Sequence, residues 1–82
     1  MNDYVGTYKM GPAAFTVKQE SNRLMVQLSG QPFFQVFASA KDEFFYKVVN
    51  AQLSFVRGTD DKIVALILHQ NGRDQRAEKI FN

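Results

Sequence analysis

The chain has 82 residues, 45% hydrophobic and 22% charged, with ten Lys and Arg against eight Asp and Glu for a net charge of +2. That length holds one core, so residues 1–82 are expected to form a single small domain, and the interleaved charges exclude the basic stripe a nucleic-acid partner needs. No apolar run is long enough for membrane insertion, no secretory leader is read after Met1, and the absence of cysteine excludes disulfides, thiolate zinc sites and a thiol nucleophile.

Tyr4 to Met10 alternates, with Tyr4, Gly6, Tyr8 and Met10 on one face and Val5, Thr7 and Lys9 on the other, until Gly11-Pro12 stops the run. A second strand over Ala14 to Glu20 turns inward Phe15 and Val17. Ser21-Asn22 leads it into a third, where Leu24, Val26 and Leu28 alternate with Arg23, Met25 and Gln27. After Ser29-Gly30-Gln31-Pro32, the runs Phe33 to Ala38 and Glu43 to Val49 carry apolar residues on both faces, and burial on both sides is expected there.

Ala51, Leu53 and Phe55 then alternate with Gln52 and Ser54, and Gly58 to Lys62 forms a polar hairpin loop before the run Ile63 to Gln70. Asn71-Gly72 suits a type I′ turn, because both central residues need positive φ, and it folds Val64–Gln70 back onto Arg73–Phe81. Gln75, Arg76, Ala77, Glu78 and Lys79 also favour helix, so a short helix over Arg73 to Ile80 is the alternative for that segment. Eight short strands without a helical period make the chain all-β: an up-and-down antiparallel barrel or a strongly curved meander sheet, with the eighth strand near the first.

His69 is the only histidine, so a histidine metal cluster is impossible and any Ser/His/Asp arrangement has to converge on it. Ser21, Ser29, Ser39 and Ser54 are the available serines, and none lies in a GxSxG elbow. The expected role of His69 is structural, at a strand end, bonded to backbone or to Asp74. Gln70, Asn71 and Arg73 form a candidate polar recognition loop, although turn geometry alone explains Asn71-Gly72, and Gln52 or Gln70 can serve as inward amides inside a barrel. Thr59, Asp60 and Asp61 lack calcium-loop spacing, and Asp42-Glu43 is expected to be solvated, so no metal, cofactor or catalytic residue is assigned. Most of the eleven aromatics are expected in the core. Phe33, Phe37 and Phe45 fall by parity on the outer face, where they mark a docking patch.

The fragments Tyr4-Val5-Gly6-Thr7-Tyr8, Gly30-Gln31-Pro32, Phe44-Phe45, Asn50-Ala51-Gln52-Leu53-Ser54-Phe55 and Leu68-His69-Gln70-Asn71-Gly72-Arg73 span nearly the whole chain. In order and spacing they resemble the small lipocalin-like domain of unassigned function at the C-terminal end of bacterial serine hydrolases related to β-lactamases and penicillin-binding proteins, also found beside tetratricopeptide repeats. Asn50 departs from the pattern, standing where the family often has an acid. The resemblance implies a lipocalin-like barrel and a non-catalytic accessory role, with hydrolase chemistry in a neighbouring domain. It also implies a periplasmic or cell-envelope location for a piece of an exported hydrolase and a cytoplasmic one for a free copy.

The first functional reading is therefore an interaction domain that packs against a serine-hydrolase or repeat domain, in cis or in trans, or against a second copy. The alternative is binding of a small apolar ligand inside the barrel, in a cavity lined by Phe15, Val26, Phe44, Phe55 and Leu66. A third, a small hydrolase in its own right, requires His69 beside a polar cleft.

Overall fold

Wherever turn-forming residues interrupt the alternating pattern, the chain reverses. The computed structural model describes residues 2–81. It contains eight strands: β1 (Gly6–Met10), β2 (Ala13–Glu20), β3 (Arg23–Leu28), β4 (Phe34–Ala40), β5 (Glu43–Tyr46), β6 (Ala51–Arg57), β7 (Ile63–Gln70) and β8 (Arg73–Lys79). Each pairs antiparallel with the next, and β8 returns to β1 to close a barrel in sequence order. Closure removes the free edges at which another chain adds a strand.

The Asn71-Gly72 turn has φ of 55° and 73°, with Gln70 facing Arg73 across it, as a type I′ hairpin requires. That register decides the fate of Arg73–Lys79. Pairing along β7 sets Ala77 opposite Leu66 and buries it completely, so tertiary packing overrides the local helix preference. The seam is completed by Tyr8 facing Lys79, Lys9 facing Glu78, and the Ile80 N–H donating to the Thr7 carbonyl at 2.8 Å.

Some boundaries differ from the sequence reading. Tyr4 lies in a single 3-10 turn, Asn2–Tyr4, ahead of β1. β5 ends at Tyr46, and the connection to β6 leaves Val48 and Val49 exposed, so two-sided burial does not reach them.

Inward positions carry Tyr8, Phe15, Val17, Leu24, Val26, Val36, Phe44, Leu53, Phe55, Leu66 and Leu68 into one core. Of the eleven aromatics, Tyr8, Phe15, Phe44 and Phe55 are buried and Tyr4 and Tyr46 pack against them, so six belong to the core, as expected.

The two rims of the barrel are unlike. At the rim holding the β4–β5 and β6–β7 connections and the 3-10 turn, Tyr4 packs edge-on to Phe44 at 5.1 Å and lies 4.5 Å from Phe55. Arg57 donates through Nε and Nη2 to the two carboxylate oxygens of Asp42 at 2.8 and 2.9 Å, and the Tyr4 hydroxyl donates to Asp42 Oδ1 at 2.7 Å. Asp42 is therefore not solvated, contrary to expectation. It occupies the left-handed position of its turn, φ 61°, from which its carboxylate reaches the Arg57 fork and is only 16% exposed. This cluster plugs the rim.

Candidate functional site

Strand register lines up one outward row across five strands. Phe37 faces Phe45, Phe45 faces Gln52, Gln52 faces His69, and His69 faces Asp74. The expectation that Gln52 turns inward is corrected by its parity with Ser54, opposite to that of buried Leu53 and Ala51.

Ser54 lies on the same face of β6, diagonal to His69. Its Oγ is 2.8 Å from His69 Nε2, while His69 Nδ1 is 2.7 Å from Asp74 Oδ1. The His69–Asp74 contact agrees with the sequence reading. Of the four serines, Ser54 is the one in contact with His69, against the expectation of a purely structural histidine, and the connectivity is Ser–His–Asp.

Beside Ser54 a groove of about 540 Å³ is lined by Glu43, Phe45, Asn50, Gln52, Ser54 and His69. A second depression of about 270 Å³ adjoins it, lined by Gln52, His69, Gln70, Asn71, Arg73 and Asp74. Five of the eight sequence-derived candidates, Phe45, Gln52, His69, Asn71 and Arg73, thus gather on one side of the barrel, and Gln70 borders the second depression from the rim.

Several features distinguish this arrangement from a preorganised acyl-transfer centre. Ser54 sits within a regular strand rather than on a strained elbow. The next backbone donor, the Phe55 N–H, is engaged with the Asp42 carbonyl at 2.8 Å. The Asp74 side chain is 72% exposed.

Phe37 and Phe45 are on the outer face, as expected, but they are half-buried rather than bare. Their rings lie 5.8 Å apart, and the Lys47 ammonium sits 4.0 Å over Phe37. Phe33 is separate from this pair, beneath the Lys18 ammonium at 4.1 Å. Strongly exposed apolar side chains lie elsewhere, at Val48 and Val49 and, along the seam, at Val5, Ile80 and Phe81.

Residues 1–79 match the domain of unknown function DUF3471. The chain belongs to this family. It is also 32% identical over 76 residues to penicillin-binding protein 4* of Bacillus subtilis (strain 168), a match that covers 90% of the chain and 16% of that protein. This DUF3471 domain is therefore homologous to one region of a β-lactamase-related protein and spans less than a fifth of its length.

At the rim opposite the Asp42–Arg57 plug, the DUF3471 barrel opens into a cavity of about 190 Å³ among Phe15, Val26, Leu28, Phe34, Tyr46 and Leu68. Gln31 and Gln70 stand at its lining, so Gln70 is the inward amide of the expected pair. Phe44 and Phe55, expected to line a cavity, are packed instead against Tyr4 and Tyr8, and Leu66 is fully buried. Burial pushes the Tyr46 hydroxyl up to about 12. Among the described residues no group of three or more His, Cys, Asp or Glu comes together to hold a metal.

Proposed function

We propose that this barrel is an accessory domain of a β-lactamase-related serine hydrolase and works by contact with the hydrolase body. The observation that carries the reading is the 32% identity to a region amounting to 16% of a penicillin-binding protein, a share that leaves most of such a chain for another body. Two apolar surfaces suit packing: the outward Phe37–Phe45 pair, continued in sequence by Val48, and the seam of Val5, Ile80 and Phe81. The hydrolase reaction belongs to the body, and the barrel supplies surface.

The test is calorimetric titration of the isolated domain into a β-lactamase-related hydrolase from which its own DUF3471 domain has been deleted. Saturable binding is expected, and Phe45→Ser or Phe81→Ser is expected to weaken it about tenfold or more. Absence of binding, with the fused domain also leaving hydrolase stability unchanged, removes the reading.

A second reading, a small apolar ligand in the barrel, is favoured by the 190 Å³ cavity. Its polar rim of Gln31 and Gln70 and the Tyr46 phenol suit one hydroxyl on an otherwise apolar molecule. Titration with 4-methylphenol is expected to shift the methyl resonances of Val26 and Leu68. Resonances that stay fixed at saturating phenol eliminate it.

A further inference from the structure

A carboxylate without a proton only accepts, so with Asp74 Oδ1 at 2.7 Å the proton of neutral His69 belongs on Nδ1. Nε2 is then free to accept the Ser54 hydroxyl hydrogen across 2.8 Å. Three adjacent strands fix the chain of bonds: the two-residue turn sets His69 against Asp74, and the β6–β7 register brings Ser54 to the same face. The 540 Å³ groove opens beside Ser54, and Phe45 is among the residues that line it. Asn50 and Gln52 also line it, and their side chains carry amide N–H groups, donors of the kind that stabilise a developing oxyanion.

We propose that Ser54 is a nucleophile and that the groove accepts small esters of acidic alcohols, with the aryl group against Phe45. Ser54 Oγ attacks the carbonyl carbon, and its proton passes to His69 Nε2 as the Oγ–C bond forms. The oxyanion then collapses, the bond from carbon to the leaving oxygen breaks, and that oxygen departs with the electron pair and takes the proton from Nε2. Water next attacks the acyl-Ser54 carbonyl and gives a proton to Nε2. The C–Oγ bond breaks, Oγ recovers that proton, and a carboxylic acid leaves. Asp74 acts as a positioning residue through His69. The chemistry needs no hydrolase body, but Phe45 serves both proposals, so the ester assay is run on the free chain, where its outcome is read apart from the binding titration.

The experiment incubates the full chain with 4-nitrophenyl acetate, following 4-nitrophenolate release and, after acid quench, the acetylated peptides by mass spectrometry. Release with acetyl on Ser54 is expected. Ser54→Ala and His69→Gln should each lower the rate about a hundredfold, with far-ultraviolet circular dichroism showing the fold retained. Asp74→Asn should lower kcat about tenfold with KM unchanged, as loss of orientation alone requires. Release as fast from folded Ser54→Ala as from the parent, or acetyl on lysines only, overturns the proposal. For a variant that does not fold, Ser54→Thr provides the second measurement: it retains the hydroxyl, and a folded Ser54→Thr chain with neither acetyl on Thr nor slowed release also overturns it.

Discussion

Asp42 shows what one side chain contributes when three elements converge on it. Hydrogen bonding from Arg57, opposed by partial burial and reinforced by the Tyr4 hydroxyl, holds its carboxyl below the usual carboxylate range. A carboxylate whose native value is depressed adds stability above its unfolded value, and that stability is lost as pH falls through the native value. Asp42→Asn should therefore lower the thermal midpoint at about pH 7, and the difference from the parent should shrink as acid protonates Asp42. A deficit equally large in strong acid, measured by thermal denaturation, contradicts the ion-pair account. Phe55, in contact with Tyr4, Tyr8 and Phe44, carries a different kind of weight. Phe55→Ala should cost about 3–5 kcal/mol. At about 0.05–0.15 kcal/mol per residue, a chain of this length has roughly 4–12 kcal/mol in all. Urea denaturation should find the variant near the edge of unfolding.

Among the elements, the β7–β8 hairpin carries its own instructions. Gly72 has φ of 73° and open space where a Cβ would go, so Gly72→Ala should destabilise through backbone strain alone, by about 1–2 kcal/mol. A loss well outside that range by urea denaturation means the turn does more than reverse the chain. This hairpin also marks how far the sequence could be read. A two-residue turn at Asn71-Gly72 sets Gln70 against Arg73 and hence His69 against Asp74, so that contact followed from counting. Ser54 was beyond the same arithmetic, because the β6–β7 register shifts by one residue between Val56 and Arg57. No local signal announces such a bulge. The Arg57–Asp42 fork was hidden for a related reason, since it joins the end of β6 to the β4–β5 connection through a turn residue that parity cannot place. Strand existence was legible throughout because one face is buried. The outward phenylalanines were legible in direction but not in exposure, which depends on Lys47 and Lys18 lying over their rings.

For the whole molecule, the hydrogen-bond ladder is uneven. β6 and β7 pair from Ala51 opposite Gln70 to Arg57 opposite Ile63, whereas β1 and β8 meet through Tyr8 with Lys79 and Lys9 with Glu78. Native-state hydrogen exchange should find the β6 and β7 amides slowest and the Ile80 amide, at the seam, among the earliest to open. Uniform protection around the barrel contradicts a seam that opens first. An even number of antiparallel strands also brings the start of β1 and the end of β8 to the same rim, the one closed by Tyr4, Asp42 and Arg57. A barrel tethered by either end is thereby oriented like a cup held by its base, its mouth turned away from whatever holds it. A linker attached there and a small molecule entering at Gln31 and Gln70 would not compete for the same approach.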